Sequence, residues 1–457
     1  MIVTIAPGSR DVPQSLEIPA TPNYTGGEGN TFFTADRRFA VKLYHTNVPE
    51  KPALLQAIID LGRDLGEDER FLAWPLGVVI LKDGRAAIGV VTRAAPAAFG
   101  SLSKLIYNSQ WAAAQFIAGR SWLDYLKIAR ATAAAVRVVH GKGMAHGDLH
   151  PRNVLADPVA GQAVLIDLDG LIVKGFLPPQ VKGLAGVMAP EVVMGTQPNE
   201  ISDRHALAVL LLWTLLLRNV MMTQTCLDED PMVDDYLGYG AKACFSEHPT
   251  DKCNWIGSIG TPLFRHGVLS YKMLTPKLQN LAERALIIGL HNPTKRPQVM
   301  EWERALAESY DALMSCSVCR QSFFYPYWIE TREQRQCPFC GTRCRPPYPA
   351  VLELQEERAK GAFVAVRRVV LYDGLPLFSD AAQPGSLPPL TRRGSPIAAR
   401  TSWDGSQSVY ILSNASGHPW RLLSDTYAEV PTGASVSLRR GVVFTLGDGK
   451  RLVRVVE

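Results

Sequence analysis

The chain has 457 residues, 47% hydrophobic and 20% charged, with a formal net charge of +5. That length exceeds one ordinary core and sets an expectation of about two to four domains, while the composition excludes fibrous and disordered classes. No charged start precedes an apolar core, and the longest apolar run, ALAVLLLWTLLL at 206–217, is too short to span a bilayer, so the expectation is a cytoplasmic protein without a membrane segment.

Residues 1–100 read as strand-rich, with hairpin signals at TGGEGN and ADRRFAVKLY and one helical interruption at KPALLQAIIDLGRDL. From Trp122 the pattern turns helical: WLDYLKIARATAAAVRVVHGKG is alanine-rich and stops at Gly141 and Gly143. NVLA and AVLIDLD predict a small hairpin bearing acids at its end, and the run at 206–217, apolar all round, predicts a buried helix. A module with paired cysteines follows at 316–344, then VLELQEERAKG, expected to be helical, and a short strand. SDAAQPGSLPPLTRRGSPIAART is rich in Pro, Gly and Ser and reads as a linker or long loop. The last fifty residues alternate between turns and predict a small β domain.

Charge is unevenly placed. Residues 1–314 hold 30 Lys and Arg against 31 acids, whereas 315–457 hold 18 against 12. The excess in the C-terminal third reads as a mixed solvated surface, with an acidic protein or nucleic acid as the alternative.

The chemistry concentrates in MAHGDLHPRNVLAD, residues 144–157. An aspartate such as Asp148 can orient an attacking hydroxyl and accept its proton, and Asn153, five residues on, can offer an amide oxygen to a hard cation. A second carboxylate, Asp167, lies 14 residues past Asn153 at the end of an apolar strand, where it can bind Mg²⁺ that bridges nucleotide phosphates. Upstream, Gly26, Gly27 and Gly29 in YTGGEGNTF permit close backbone approach to phosphates, and Lys42 in FAVKLY follows on a strand to neutralise their charge.

In this order and spacing the chain resembles the protein kinase family over residues of about 15–312. The resemblance implies ATP and Mg²⁺ as cofactors, Asp148 as catalytic base, Asn153 and Asp167 as metal ligands and Lys42 on the phosphates. DLD stands where the family has DFG, and APE is intact at 189–191. Asp203, 12 residues after Glu191, matches the family's helix-anchoring aspartate, and Arg296 in NPTKRP is expected to pair with Glu191.

The departures are as informative. Tyr24 replaces the first glycine of the loop read at 24–29, and the helix acid that normally pairs with the lysine is unassigned among Gln56, Asp60 and Asp64. Gly147 stands where many kinases carry an arginine that clamps an activation-loop phosphate, and residues 170–188 contain no Ser, Thr or Tyr. Both halves of that electrostatic switch are missing, so no activation-loop phosphorylation is expected. His150, two residues after Asp148, is closer to aminoglycoside phosphotransferases. Asp169, where the family has glycine, reads equally as a supporting acid or a plain loop residue. His146 is expected to brace the loop, and His140 and His205 need no functional role.

Cys316-x-x-Cys319 and Cys337-x-x-Cys340, separated by 17 residues, suit a closed tetrahedral structural Zn²⁺ site, with Cys344 the alternative to Cys340. Between them aromatics interleave with Arg320, Arg332 and Arg335; the expectation is a ribbon core, with stacking on nucleic acid as the alternative. Cys244, His248 and Cys253 lack tight metal spacing and read as ordinary residues.

The combined expectation is an α+β chain: a bilobal protein-kinase-like fold at 1–312 (N-lobe about 1–92, C-lobe about 93–312), a zinc ribbon at 313–348, a connecting helix, short strand and linker at 349–400, and a small all-β domain at 401–457. With the DLD variant, the ribbon and the SNASGHPWRL tail, the whole resembles bacterial eukaryotic-like kinases of stress and tellurite-resistance gene clusters. That resemblance implies a PP2C-type phosphatase and a von Willebrand A protein as partners. The expected activity is ATP-dependent phosphoryl transfer to Ser or Thr of a protein substrate. The alternatives are a pseudokinase scaffold that binds partners through the ribbon and β domain, and a small-molecule kinase.

Overall fold

The computed structural model describes all residues except 47, 81–88, 108–117, 177–182, 257–268, 390, 393, 425–426 and 448–450. It divides into two compact units: Met1–Arg120, Lys127–Gly257 and Asn280–Glu303 form the first, and Ser121–Leu126, Ser258–Gln279 and Arg304–Glu457 the second.

The first unit begins with seven strands: β1 (Ile2–Ile5), β2 (Ser15–Glu17), β3 (Tyr24–Thr25), β4 (Gly29–Phe33), β5 (Phe39–Tyr44), β6 (Pro75–Ile80) and β7 (Gly89–Arg93). They form one antiparallel sheet in the order β2-β1-β6-β7-β5-β4-β3. The two expected hairpins are β3–β4 and β4–β5, and the second pairs Thr31 with Lys42. Its turn is held by Thr34 and Asp36: the Thr34 hydroxyl donates to Asp36 Oδ1 at 2.6 Å, which also accepts from Arg38 N. The helical interruption is α1 (Lys51–Leu61), whose Leu55 and Ile59 pack on Val78 and Val90 of the sheet.

The Trp122–Gly141 helix ends as its sequence implies, with Gly143 in the left-handed region at φ +72°. Short strands β8 (Gly100–Ser101), β10 (Val154–Asp157) and β11 (Gln162–Leu165) form a sheet in the order β11-β10-β8, and β9 (Met144–Ala145) pairs with β12 (Ile172–Val173). The hairpin expected from NVLA and AVLIDLD is β10–β11. The Glu200–Leu216 helix starts at Asn199, whose side chain accepts from the amides of Ile201 and Ser202, and every residue from Ala206 to Leu216 is buried. Arg296 NH groups reach both carboxylate oxygens of Glu191 at 2.6 and 2.8 Å, as expected. The Arg296 side chain is fully enclosed, whereas Glu191 is one-fifth exposed. Glu191→Ala therefore strands a buried guanidinium and is expected to lower stability by about 3–5 kcal/mol in urea denaturation. Arg296→Met should cost less, because the remaining carboxylate can rehydrate.

The second unit opens its ribbon with the hairpin β13 (Leu313–Ser315) and β14 (Ser322–Phe324). VLELQEERAKG is not helical: Ala350–Ala359 is a strand, β15, paired with β16 (Ala362–Leu371) on one side and β24 (Arg451–Val455) on the other. Glu, Gln, Leu and Arg are good helix formers, but that preference amounts to tenths of a kcal/mol per residue and two strand partners outweigh it. With β23 (Val443–Leu446) they form a sheet in the order β16-β15-β24-β23.

A second sheet joins β17 (Pro376–Phe378), β18 (Ile397–Asp404), β19 (Val409–Asn414) and β22 (Ser435–Ser437); β20 (Trp420–Arg421) pairs with β21 (Glu429–Val430). One core unites Leu352, Leu354 and Val369 with Leu412, Trp420 and Phe444, so the β module starts at Ala350 and not at 401. The loop expected at 379–401 is shorter, because β18 begins at Ile397; residues 390 and 393 of it lie outside the described residues, as do 448–450 of the last expected strand pair. Among the described residues no helix is long and apolar enough to cross a membrane.

Candidate active site and cysteine cluster

The loop between β9 and β10 is built around Asp203, a buried acid in the first turn of the Glu200–Leu216 helix. Its carboxylate accepts from His146 N at 2.6 Å and Gly147 N at 2.9 Å, and lies 3.1 Å from His140 Nε2. His146 braces the loop as expected: its Nδ1 accepts from Asp148 N at 3.3 Å, so Nε2 carries the proton toward Ile166 O at 3.1 Å. Gly147 has a steric cause that the sequence did not reveal. It sits at φ +77°, and a Cβ there would lie 2.8 Å from Ile172 Cδ1.

This scaffold presents Asp148 and Asn153 together. Asn153 Nδ2 donates to Asp148 O at 3.0 Å and approaches Asp148 Oδ2 at 3.4 Å, as does His150 Nε2. His150 Nδ1 accepts from Arg152 N, so this histidine caps the turn at Pro151–Asn153. Asp148 Oδ1 is buried with no hydrogen-bond partner, a poor state for a carboxylate oxygen unless a donor arrives from outside.

Asp167 comes to the same region from the end of β11, because Ile166 N donates to Asn153 O at 2.9 Å. Its backbone is left-handed at φ +64°. From the other sheet, β5 delivers Lys42, whose Nζ donates to Asp167 Oδ1 at 2.7 Å, Glu28 Oε2 at 3.1 Å and Asp169 Oδ2 at 3.1 Å. Burial alone would depress the Lys42 ammonium, but the charges of Asp169, Asp167 and Glu28 hold its pKa well above the usual lysine range. Burial and then the neighbouring Asp169 charge push the Asp167 carboxyl up, against the pull of Lys42. Asp169 faces the same burial, yet Lys42, Lys51 and the Tyr44 hydroxyl keep it below the ordinary value.

Of the loop glycines, Gly29 is required by packing, since a Cβ there would sit 2.3 Å from Leu43 O. Gly26 N closes the turn onto Gly29 O at 2.9 Å, and Gly27 has open space where a Cβ would be. The three acid or amide candidates on and after α1 do not reach Lys42: Gln56 bonds Gly8 O and Asp60, Asp60 bonds Arg63, and Asp64 bonds Lys142. Lys51, Tyr44 and Glu28 were not singled out from sequence, and Asp169 read equally as a supporting acid or a plain loop residue. The available signal was the acid at the family's glycine together with a first helix lacking glutamate. The oxygen donors Asp148, Asn153 and Asp167, with the buried orphan oxygen of Asp148, fit Mg²⁺ and a nucleotide.

The four paired cysteines converge. Cys316, Cys319, Cys337 and Cys340 place their sulfurs within 4.8 Å of one another, with Cys316–Cys340 and Cys319–Cys337 both at 3.7 Å. A tetrahedral Zn²⁺ with its usual sulfur bonds sets such pairs about 3.8 Å apart, so the donor set fits that ion. Cys344 stands outside the group, its amide bonded to Arg335 O. Around the cluster Trp122 packs on Phe324 and Phe339, with ring centres at 4.7 and 5.5 Å. Arg335 is buried against Tyr325 and Glu457, and Arg332 pairs with Glu457, so these two arginines tie the ribbon segment to the last residue of the chain. Cys244, Asp251 and Cys253 also come together, but His248 Nδ1 is taken by the Asp251 amide.

No protein-family model matches the chain. A stretch of 157 residues is 26% identical to the Dual serine/threonine and tyrosine protein kinase of Apis mellifera, covering 30% of this chain and 16% of that protein. A stretch of 226 residues is 24% identical to Serine/threonine-protein kinase PknD of Chlamydia muridarum, covering 42% of this chain and 24% of the relative, and PknD of Chlamydia trachomatis matches at the same identity and coverage. The chain thus spans about a quarter or less of the length of these curated relatives. Over part of its length this chain is similar in sequence to serine/threonine protein kinases.

Proposed function

We propose that the first unit is a kinase-like phosphotransferase that moves the γ-phosphoryl group of ATP to a Ser or Thr hydroxyl of a protein substrate. The observation that carries this reading is the meeting of Lys42 and Asp167, 125 residues apart in the chain, at 2.7 Å beside the Asp148–Asn153 loop. Mg²⁺-ATP, when bound, supplies the transferred group and spreads its charge over metal and phosphate oxygens. Lys42 and the turn at Gly26, Gly27 and Gly29 hold phosphate oxygens; Asn153 and Asp167 offer oxygen ligands to the cation. Asp148 orients the substrate hydroxyl and takes its proton as the oxygen attacks, while Asp203 keeps the loop in register.

Regulation by activation-loop phosphorylation is absent in this reading, because residues 170–188 hold no Ser, Thr or Tyr. Residues 177–182 of that segment lie outside the described residues. The four thiolates hold a structural Zn²⁺ in a ribbon, and the β module is left to bind partners. By the resemblance to bacterial eukaryotic-like kinases of stress and tellurite-resistance clusters, a PP2C-type phosphatase and a von Willebrand A protein are the partners to seek, in the cytoplasm.

The test is labelled γ-phosphoryl transfer from Mg²⁺-ATP to a generic protein substrate and to the chain itself. Label on protein is the expected result. Mg²⁺-ATP binding without any label would replace the enzyme by a scaffold, and label found only on a metabolite would favour the small-molecule reading that His150 suggests.

A further inference from the structure

Resting on the phosphotransfer reading, we infer that Asp169 is the positioning residue for Lys42, and that Lys51 ties α1 to it by an ion pair of reversed sense. The helix would thus contribute the cation, and the segment after β11 the anion.

α1 offers Lys42 no anion. Lys51–Leu61 contains one acid, Asp60, and that acid is occupied by Gln56 and Arg63 on an exposed face. A lysine that must hold phosphate oxygens in a fixed place needs a permanent counter-charge, or its four-carbon stem wanders. Two carboxylates besides the exposed Glu28 contact Lys42. Asp167 has a side chain one-third exposed, open to the site and suited to cation binding. Asp169 is enclosed, with 5% of its side chain exposed.

Every contact of Asp169 points to the same role. Lys42 Nζ is 3.1 Å from its Oδ2, Tyr44 OH donates to that oxygen at 2.7 Å, and Lys51 Nζ stands 3.8 Å away. Both ammonium groups lie over the Tyr44 ring, at 5.7 and 5.3 Å from its centre. A carboxylate buried this deeply persists only if paired, and here two cations and a hydroxyl supply the pairing. Lys51 sits in the first turn of α1, where a cation opposes the helix dipole. Its pairing with Asp169 offsets that penalty and couples the placement of α1 to the placement of Lys42.

The experiment compares Lys42→Met, Lys51→Met, Asp169→Asn, Asp169→Gly, the double variant Lys51→Met with Asp169→Asn and the double variant Asp169→Gly with Lys51→Glu, reading kcat, nucleotide affinity by displacement of a fluorescent ATP analogue, and the thermal midpoint of the nucleotide-free chain. Asp169→Asn should lower kcat about 100-fold while nucleotide affinity changes by less than about threefold, because a displaced catalytic group costs rate before it costs binding. Lys51→Glu should return at least about a tenfold share of the kcat lost in Asp169→Gly, by moving the anion to the helix. In the nucleotide-free chain, Lys51→Met and Asp169→Asn together should lower the midpoint no more than the worse single change. Undiminished kcat in Asp169→Asn beside an inactive Lys42→Met overturns this inference alone, as do strictly additive midpoint losses. A wild type that transfers nothing, or Lys42→Met at full rate, overturns the phosphotransfer reading and this role with it.

Discussion

Asp148→Asn is expected to lower the rate of phosphoryl transfer by about 10²- to 10⁴-fold, the range lost when a positioned general base is removed. The substitution is nearly isosteric, so the loop should survive it. The backbone of Asp148 keeps its bonds to His146 Nδ1 and Asn153 Nδ2, and Asp203 still grips His146 and Gly147. What disappears is the negative charge and one of the two acceptor oxygens of a carboxylate whose Oδ1 is buried without a partner. Nucleotide affinity should hold, since Lys42 and the hairpin turn are untouched. Single-turnover transfer with labelled Mg²⁺-ATP measures the first quantity and equilibrium displacement the second. Turnover within a factor of two of wild type would remove Asp148 from the chemistry.

Metal loss should be the most damaging change to the second unit. Purified without chelator, the chain is expected to carry one Zn²⁺, read by atomic emission, and Cys337→Ala should abolish that stoichiometry. Apparent binding energies of structural zinc in small modules are about 10–16 kcal/mol, which is folding energy for a hairpin with little core of its own. Cys337 is buried, and the cluster stands beside the Trp122, Phe324 and Phe339 packing, so the loss should also lower the thermal midpoint by several degrees. Cys344→Ala should leave zinc content unchanged, because that thiol stands outside the cluster. Full zinc content in Cys337→Ala would show that the ligand set is wrong.

Local pattern was enough wherever one segment carried its whole argument. The run at 206–217 is apolar on all sides, and no position for it except a buried helix avoids exposing leucines. The β3–β4–β5 hairpins follow from turn residues placed between short alternating runs. Asp203 and the Arg296–Glu191 pair were legible through the resemblance to protein kinases, whose pattern these positions match. VLELQEERAKG was not legible, since its residues suit a helix in isolation and its second strand partner, Arg451–Val455, comes almost a hundred residues later. Edge and boundary failed together for that reason: a hairpin that completes a distant sheet reads as a connector until the sheet is known.

The same division runs through the site. Sequence by itself singled out Lys42, Asp148, Asn153 and Asp167, through their order and the resemblance to protein kinases, and the two Cys-x-x-Cys pairs whose sulfurs come together. Tertiary structure alone decided that Asp169 is enclosed between Lys42, Tyr44 and Lys51, that Gly147 is a glycine for steric reasons, and that α1 brings a cation where an acid was sought. The physical reason is that burial and charge pairing depend on which distant segments share a volume, and no local pattern of residues encodes that distance.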